Sequence, residues 1–158
     1  MELDEIVPEI HVGSFPEKAV DIRLLKSEFG ITAVLNLQTE DDFDANKLDW
    51  SALAETYRHE GIEVCRVPVQ DFDEEDLRRH LPACVDGLDR LLREGHVVFV
   101  HCNMGMGRSP SVVVAYLHWI GGMNLDEAFG QVTRLRPSVP SMDAIRLAGS
   151  DRWKNKDA

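Results

Sequence analysis

Cys102 and Arg108 are separated by five residues, Asn103-Met104-Gly105-Met106-Gly107, a spacing that suits attack by a thiolate on a bound oxyanion. A loop this short can wrap one tetrahedral dianion. The sulfur sits beneath it, backbone N–H groups from Asn103 to Arg108 surround it, and the guanidinium fork donates to two oxygens. Gly105 and Gly107 allow backbone conformations and a close approach that a Cβ would hinder. The same donors stabilise negative charge on the Cys102 sulfur. Ser109 can hydrogen-bond that sulfur, cap the helix that follows, or do both. His101 is expected to orient the loop by hydrogen bonding. The other five histidines (His11, His59, His80, His96 and His118) are scattered singly, without metal-ligand spacing, so neither a metal nor a cofactor is expected.

Elements of the right kind stand on both sides of these residues. Val97-Val-Phe-Val-His101 carries no charge before His101 and reads as a fully buried strand in mid-sheet. Ser111-Val-Val-Val-Ala-Tyr-Leu-His-Trp-Ile120 reads as a helix, and Pro110 fits its first turn, where a missing N–H costs nothing. A strand, a tight loop and a helix N-terminus together form an anion cradle, because the macrodipole adds partial positive charge. The segment Gln70-Asp71-Phe72-Asp73-Glu74-Glu75-Asp76 is where a general acid is expected. Asp71 and Asp73 both qualify, and both could instead cap the next helix.

Along the rest of the chain, Glu9–Val12 is a short strand candidate. Residues 17–29 form a helix with Val20, Leu24 and Leu25 at helical spacing, closed by Gly30. Residues 31–37 read as a buried strand, 40–46 as an acidic loop, 50–60 as a helix closed by Gly61, and 62–69 as a strand ended or edged by Pro68. Residues 74–94 make a long helix with Leu77, Leu81, Val85, Leu88 and Leu92 on one face and a possible kink at Pro82. Asn124 caps a helix to Leu135, Arg136–Pro140 is a loop, and Ser141 caps a last helix to about Gly149. Cys65, Cys84, Trp119, Val112–Val114 and Met123 read as core. The expected fold is α/β: a central, mainly parallel sheet with helices on both faces and the active loop at a strand's C-terminal end. Residues 1–150 form one domain, and 151–158 a polar tail, mobile apart from Trp153.

His101-Cys102-x-x-Gly105-x-Gly107-Arg108-Ser109, with its strand and helix, resembles the active-site loop of the protein tyrosine phosphatase superfamily, specifically the dual-specificity branch. The resemblance implies a phosphocysteine intermediate and a general acid on the loop after the neighbouring strand. Asp71, 31 residues before Cys102, fits that place, with Asp73 its competitor. Phosphotyrosine-specific members are larger, with a loop that deepens the pocket. This chain is expected to have a shallow cleft, and the uncharged Asn103, Met104 and Met106 argue against phosphoinositides. From Ile31 to Leu147 the chain is also similar to plant-type glucan phosphatases, through Asp71-Phe-Asp73, Leu81-Pro82, Gly105-Met-Gly-Arg108 and Pro140-x-x-Asp143-Ala-Ile145. There an aromatic after the catalytic Asp binds the sugar chain. Phe72 matches it, or else packs its own loop. The departures are Val139 at an expected aromatic contact, Asn103-Met104 for Thr-Ala, Ser109 for Ala, and no aromatic pair at Ala45-Asn46, although Phe43 and Trp50 are close by.

Composition narrows the partners. The 158 residues are 44% hydrophobic and 28% charged, ordinary for a globular domain. The acidic start, Met-Glu-Leu-Asp-Glu, carries no secretory signal, no apolar run would span a bilayer, and three cysteines make no disulfide framework. A cytoplasmic monomer is expected. A net charge of −11 disfavours nucleic acid and anionic membranes, though not a phosphate held by local donors, since salt screens the rest within about 8 Å. The substrate is then a phosphorylated protein or a phosphoglucan. The alternatives are a dedicated glucan phosphatase, a non-catalytic phosphate-binding module, and a sulfur-transfer or arsenate-reducing enzyme with a similar loop.

Overall fold

The computed structural model describes residues 1–156. Five strands, β1 (Leu3–Val7), β2 (Ile10–Gly13), β3 (Ala33–Asn36), β4 (Glu63–Arg66) and β5 (Val98–His101), form one sheet in the order β1-β2-β5-β3-β4. Only the β1/β2 pair is antiparallel. The chargeless run of β5 is buried at all four positions and lies in the centre, parallel to β2 and β3. Its alternation divides the core. Val98 and Val100 face one layer of apolar side chains, and Phe99 faces another with Val34, Ile22, Leu25, Leu53 and Tyr57.

The second layer is built by α1 (Ala19–Phe29) and α3 (Trp50–Glu60). The first is built by α4 (Glu74–Arg93), α5 (Arg108–Trp119), α6 (Leu125–Leu135) and α7 (Met142–Lys156). Helices therefore cover both faces. Along α4, Leu77, Leu81, Cys84, Val85, Leu88 and Leu91 are buried at the 3.6-residue period, each fully buried Leu contributing about 1.5–3 kcal/mol. Pro82 lies inside this helix, which remains one element.

Several local expectations change. The acidic segment 40–46 is not a loop. Glu40–Ala45 is the short helix α2, because Thr39 and Asp42 cap each other reciprocally. In α1 the buried residues are Ile22 and Leu25, while Val20 and Leu24 face solvent, so the apolar face is rotated from the one expected. On α4, Leu91 rather than Leu92 is fully buried. The acidic N-terminus forms the edge strand β1, with Glu5 exposed and Asp4 turned to Arg136. Helix α7 continues past Gly149 to Lys156, tied at Asp151 to Arg78 by two hydrogen bonds of 2.8 and 3.1 Å, so residues 151–156 are helical. Asp157 and Ala158, the end of the expected tail, lie outside the described residues.

Parallel register brings Gly13, Asn36 and His101 level with one another, and Arg66 pairs with Asn36. Four chain segments therefore leave the sheet side by side at the carboxyl ends of the parallel strands, and the candidate site is made there.

Candidate active site

Cys102 follows β5 directly, and Arg108 opens α5, so the loop between them bridges the central strand and a buried helix. Every carbonyl from Cys102 to Gly107 is held by a donor outside the loop's interior. Cys102 O accepts from His101 Nδ1 at 3.1 Å, and Asn103 O from Phe15 N–H at 3.0 Å. Met104 O and Gly105 O accept from Arg136 Nη2 and Nε at 2.6 and 3.0 Å. Met106 O accepts from Val139 N–H at 2.7 Å, and Gly107 O from Ser111 N–H and Oγ at 3.1 and 2.7 Å. No peptide bond here is cis, and in a trans peptide the N–H points opposite to the C=O. Carbonyls turned outward therefore turn the loop's N–H groups inward, which is the geometry of an anion nest.

Gly105 is required twice over. Its φ is +68°, and a Cβ there would lie 2.6 Å from the Gly13 carbonyl. Gly107 differs from expectation. Its φ is −124°, and a Cβ would meet open space, so the loop's own packing does not demand glycine at that position.

Cys102 Sγ lies 3.2 Å from Ser109 Oγ, and both are buried. Arg108 is almost fully buried, and its Nη1 donates to Asp42 Oδ2 at 2.7 Å and to Val69 O at 2.8 Å. Its Nη2 is 3.1 Å from Asp71 Oδ2, but the angle is not that of a hydrogen bond. Nε and Nη2 thus have no hydrogen-bond partner among the described residues and are the donors available to a ligand. Asp71's other oxygen accepts from Phe72 N–H at 3.1 Å. Asp73, its competitor, accepts from Asp76 N–H at 3.0 Å and is the N-cap of α4, so the two carboxylates have different work.

His101 is fully buried beside Phe99. Burial first, and the Arg108 charge after it, push it down to about 4 against the opposing bond to Cys102 O, so the ring is neutral near pH 7. Its Nδ1 carries the proton that Cys102 O accepts, a loop-orienting bond.

Phe72 is fully exposed, with φ +56°, a left-handed conformation uncommon for a non-glycine residue. It does not pack its own loop. Phe72, Met104, Met106 and the 74% exposed Val139 form an apolar rim around a cleft of about 560 Å3 with Cys102 and Arg108 in its lining. Arg108 is the only cation in that lining, against the carboxylates of Asp71, Asp73 and Glu74. Phe43 and Trp50 stack on each other at 5.2 Å beneath the Arg66 guanidinium, so Phe43 is turned into the protein rather than toward the rim. Cys84 is buried, Cys65 packs against the same core, and all three cysteines are free.

Two functional residues were not foreseen. Asp42 binds both Arg108 and Asn103, whose amide links on to Gln38 and Asn46. Burial pushes the Asp42 carboxyl up, but the bonds from Arg108, Thr39 and Asn103 outweigh it and hold the group below the usual carboxylate range. The one sequence signal at Asp42 is Thr39 three residues before it, a capping-box pattern that marks a helix start and not a partner for Arg108. Arg136, placed in a loop, reaches the active loop from the end of α6. The pairing of two carbonyls with its fork leaves no trace in the sequence.

Residues 12–146 match the family model described as dual specificity phosphatase, catalytic domain. The chain belongs to this family. Among curated relatives of this dual-specificity domain, the phosphoglucan phosphatase LSF1 of Arabidopsis thaliana, a chloroplastic protein, is 37% identical over 151 residues. Laforin of Mus musculus is 35% identical over 162 residues. Each match covers 96% of this chain, but only 25% of LSF1 and 49% of laforin, so the chain spans less than half of either relative. The crystal structure of Tk-PTP in its active form superposes with a TM-score of 0.74 at 24% identity, covering 94% of both chains, which establishes the phosphatase-like fold. No helix among the described residues is long and apolar enough to cross a membrane.

Proposed function

We propose that this chain is a cysteine-dependent phosphomonoester hydrolase of the dual-specificity type. The observation that carries the proposal is the loop in which every carbonyl from Cys102 to Gly107 is held outward while Arg108 and Asp71 converge on the same cleft. The phosphate sits on the inward N–H groups of Asn103, Met104, Gly105, Met106 and Gly107, with Arg108 Nε and Nη2 on its equatorial oxygens. Cys102 thiolate attacks phosphorus in line, forming the S–P bond as the P–O ester bond breaks. Asp71 gives its proton to the departing oxygen. Asp71 then takes a proton from water as the water attacks phosphorus, and the S–P bond breaks to return the thiolate, which Ser109 hydrogen-bonds. The presence of nucleophile, arginine and acid together weighs against a purely phosphate-binding module.

The substrate is a phosphorylated protein or a phosphorylated glucan. An apolar rim with a single cation suits one phosphate on an otherwise uncharged body better than a polyanion. The narrower reading, a dedicated glucan phosphatase, is favoured by one observation. Phe72 stands fully exposed beside Asp71, as a ring would that stacks on sugar, and LSF1 is named a phosphoglucan phosphatase. Three free cysteines suit a reducing compartment, and we read the chain as a cytoplasmic monomer without nucleic-acid or membrane partners. The test is turnover of an aryl phosphate, phosphopeptides and phosphorylated starch or glycogen side by side, with Cys102→Ser as control. Phosphate release that the serine variant lacks is expected. A serine variant within about tenfold of the parent refutes the cysteine mechanism.

A further inference from the structure

The loop carbonyls of Cys102, Asn103, Met106 and Gly107 are held by backbone N–H groups or by side chains one to four residues away. Those of Met104 and Gly105 are held differently. Both accept from one guanidinium, that of Arg136, at 2.6 and 3.0 Å. Arg136 is 5% exposed, and its remaining nitrogen, Nη1, is 3.1 Å from Asp4 Oδ2 and 3.4 Å from Glu2 Oε2. The carboxylates come from the N-terminal edge of the sheet, the arginine from the end of α6, and the carbonyls from the active loop, so three distant segments meet at one fork.

The two peptide planes at stake flank Gly105, whose missing Cβ makes rotation about φ and ψ cheap. A rotated plane would turn a carbonyl, rather than an N–H, toward a bound anion. With both carbonyls pinned to Arg136, the N–H groups of Gly105 and Met106 face the cradle.

We infer that Arg136 is a positioning residue: a buried clamp that keeps the peptide planes on either side of Gly105 in the oxyanion-binding orientation, itself oriented by Asp4 of β1. The clamp touches neither substrate nor sulfur and acts only through the loop. The inference rests on the reading of Cys102–Arg108 as an oxyanion loop.

The experiment compares wild type with Arg136→Met, Arg136→Lys and Asp4→Asn. It measures inhibition by inorganic phosphate of aryl phosphate turnover, the thermal midpoint, and the ratio of Cys102 alkylation rates by iodoacetate and by iodoacetamide. The anionic reagent profits from an ordered cradle and the neutral one does not, so the ratio reads loop orientation molecule by molecule. A merely structural role would lower the midpoint and leave the ratio alone. Arg136→Met is expected to weaken phosphate binding about tenfold or more, as loss of two charge-assisted bonds implies, with the ratio falling in step. Arg136→Lys, which reaches one carbonyl at a time, should recover part of the loss. Asp4→Asn should move both readouts the same way by less. A folded Arg136→Met with unchanged phosphate affinity and ratio overturns the inference. Should that variant not fold, unchanged values in both Arg136→Lys and Asp4→Asn overturn it equally. A wild type that neither binds phosphate nor prefers iodoacetate would instead refute the oxyanion-loop reading beneath it.

Discussion

Asp42→Asn removes one charge and almost no volume from the position that braces Arg108. The carboxylate accepts four hydrogen bonds: from Arg108 Nη1 at 2.7 Å, Asn103 Nδ2 at 2.9 Å, and Thr39 N–H and Oγ1 at 2.9 and 3.1 Å. An amide has one oxygen, so its NH2 must face at least one of those donors, leaving a buried polar group unsatisfied at a cost of about 1–3 kcal/mol. Arg108 also loses its buried counter-charge, and breaking such a pair from one side costs about 3–5 kcal/mol. The two losses fall on the same contact and do not add, and because Val69 O still holds Nη1 the lower end of the larger range applies, about 3 kcal/mol in all. For a domain of this size that lowers the thermal midpoint by about 10 °C. In the site, a guanidinium held by one bond instead of two loses alignment, and kcat on an aryl phosphate should fall at least about tenfold. The pH sign is also set. The folded Asp42 pKa lies below its unfolded value, so its stabilisation is full above the unfolded pKa and is lost as pH falls through the folded one. Chemical denaturation across the acid limb should therefore show a shallower decline for the variant than for wild type. Steady-state kinetics and thermal unfolding on the same preparations decide it. A variant that melts with wild type and keeps its kcat would refute the bracing role.

Three further outcomes are expected. Asp71→Asn should slow alkyl phosphates by about 100-fold or more and activated aryl esters far less, since only a poor leaving group needs the proton. If Asp73→Asn shows that selectivity instead, the acid is wrongly assigned. Phe72→Ala should reduce activity on a phosphoglucan by about 1–3 kcal/mol in kcat/KM, taking the scale for stacking on aromatic rings, and leave a small aryl phosphate unaffected. Equal losses on both would show that Phe72 only shapes its loop. Because His101 is neutral in the fold down to about pH 4, unfolding releases a ring that protonates near 6.5. Its contribution is complete above pH 6.5 and is lost between there and about pH 4, amounting to about 3 kcal/mol. Urea unfolding of His101→Asn should lose that slope, and an unchanged slope would contradict it.

What the sequence disclosed follows the range of the forces involved. The chargeless Val97–Val100, the two glycines and Pro110 are local signals, and they placed the strand, the loop and the helix where they lie. The caps at Gly30 and Gly61 were legible for the same reason, since the left-handed conformation each adopts is a property of the residue itself. The 40–46 segment reads as a loop because its four acidic residues outweigh the Thr39-x-x-Asp42 capping-box pattern that starts the helix. Val20 and Ile22 are equally apolar, so periodicity alone could not say which of them α1 turns toward Phe99. Asp42 and Arg136 escaped for a further reason. Each acts on active-loop atoms 31 or more residues away, and no local pattern points to that loop.

The outward-held carbonyls also bear on how activity arises during folding. Asn103 O depends on Phe15, 88 residues earlier, and Met106 O on Val139, 33 residues later. The helix after the loop and the pairing of β5 with β3 can form before either partner arrives. Closing such long loops is entropically costly and tends to come late. During refolding, then, secondary structure should return ahead of competence to turn over substrate. A partly opened molecule, with only its 136–139 segment detached, would keep its core and yet be inert.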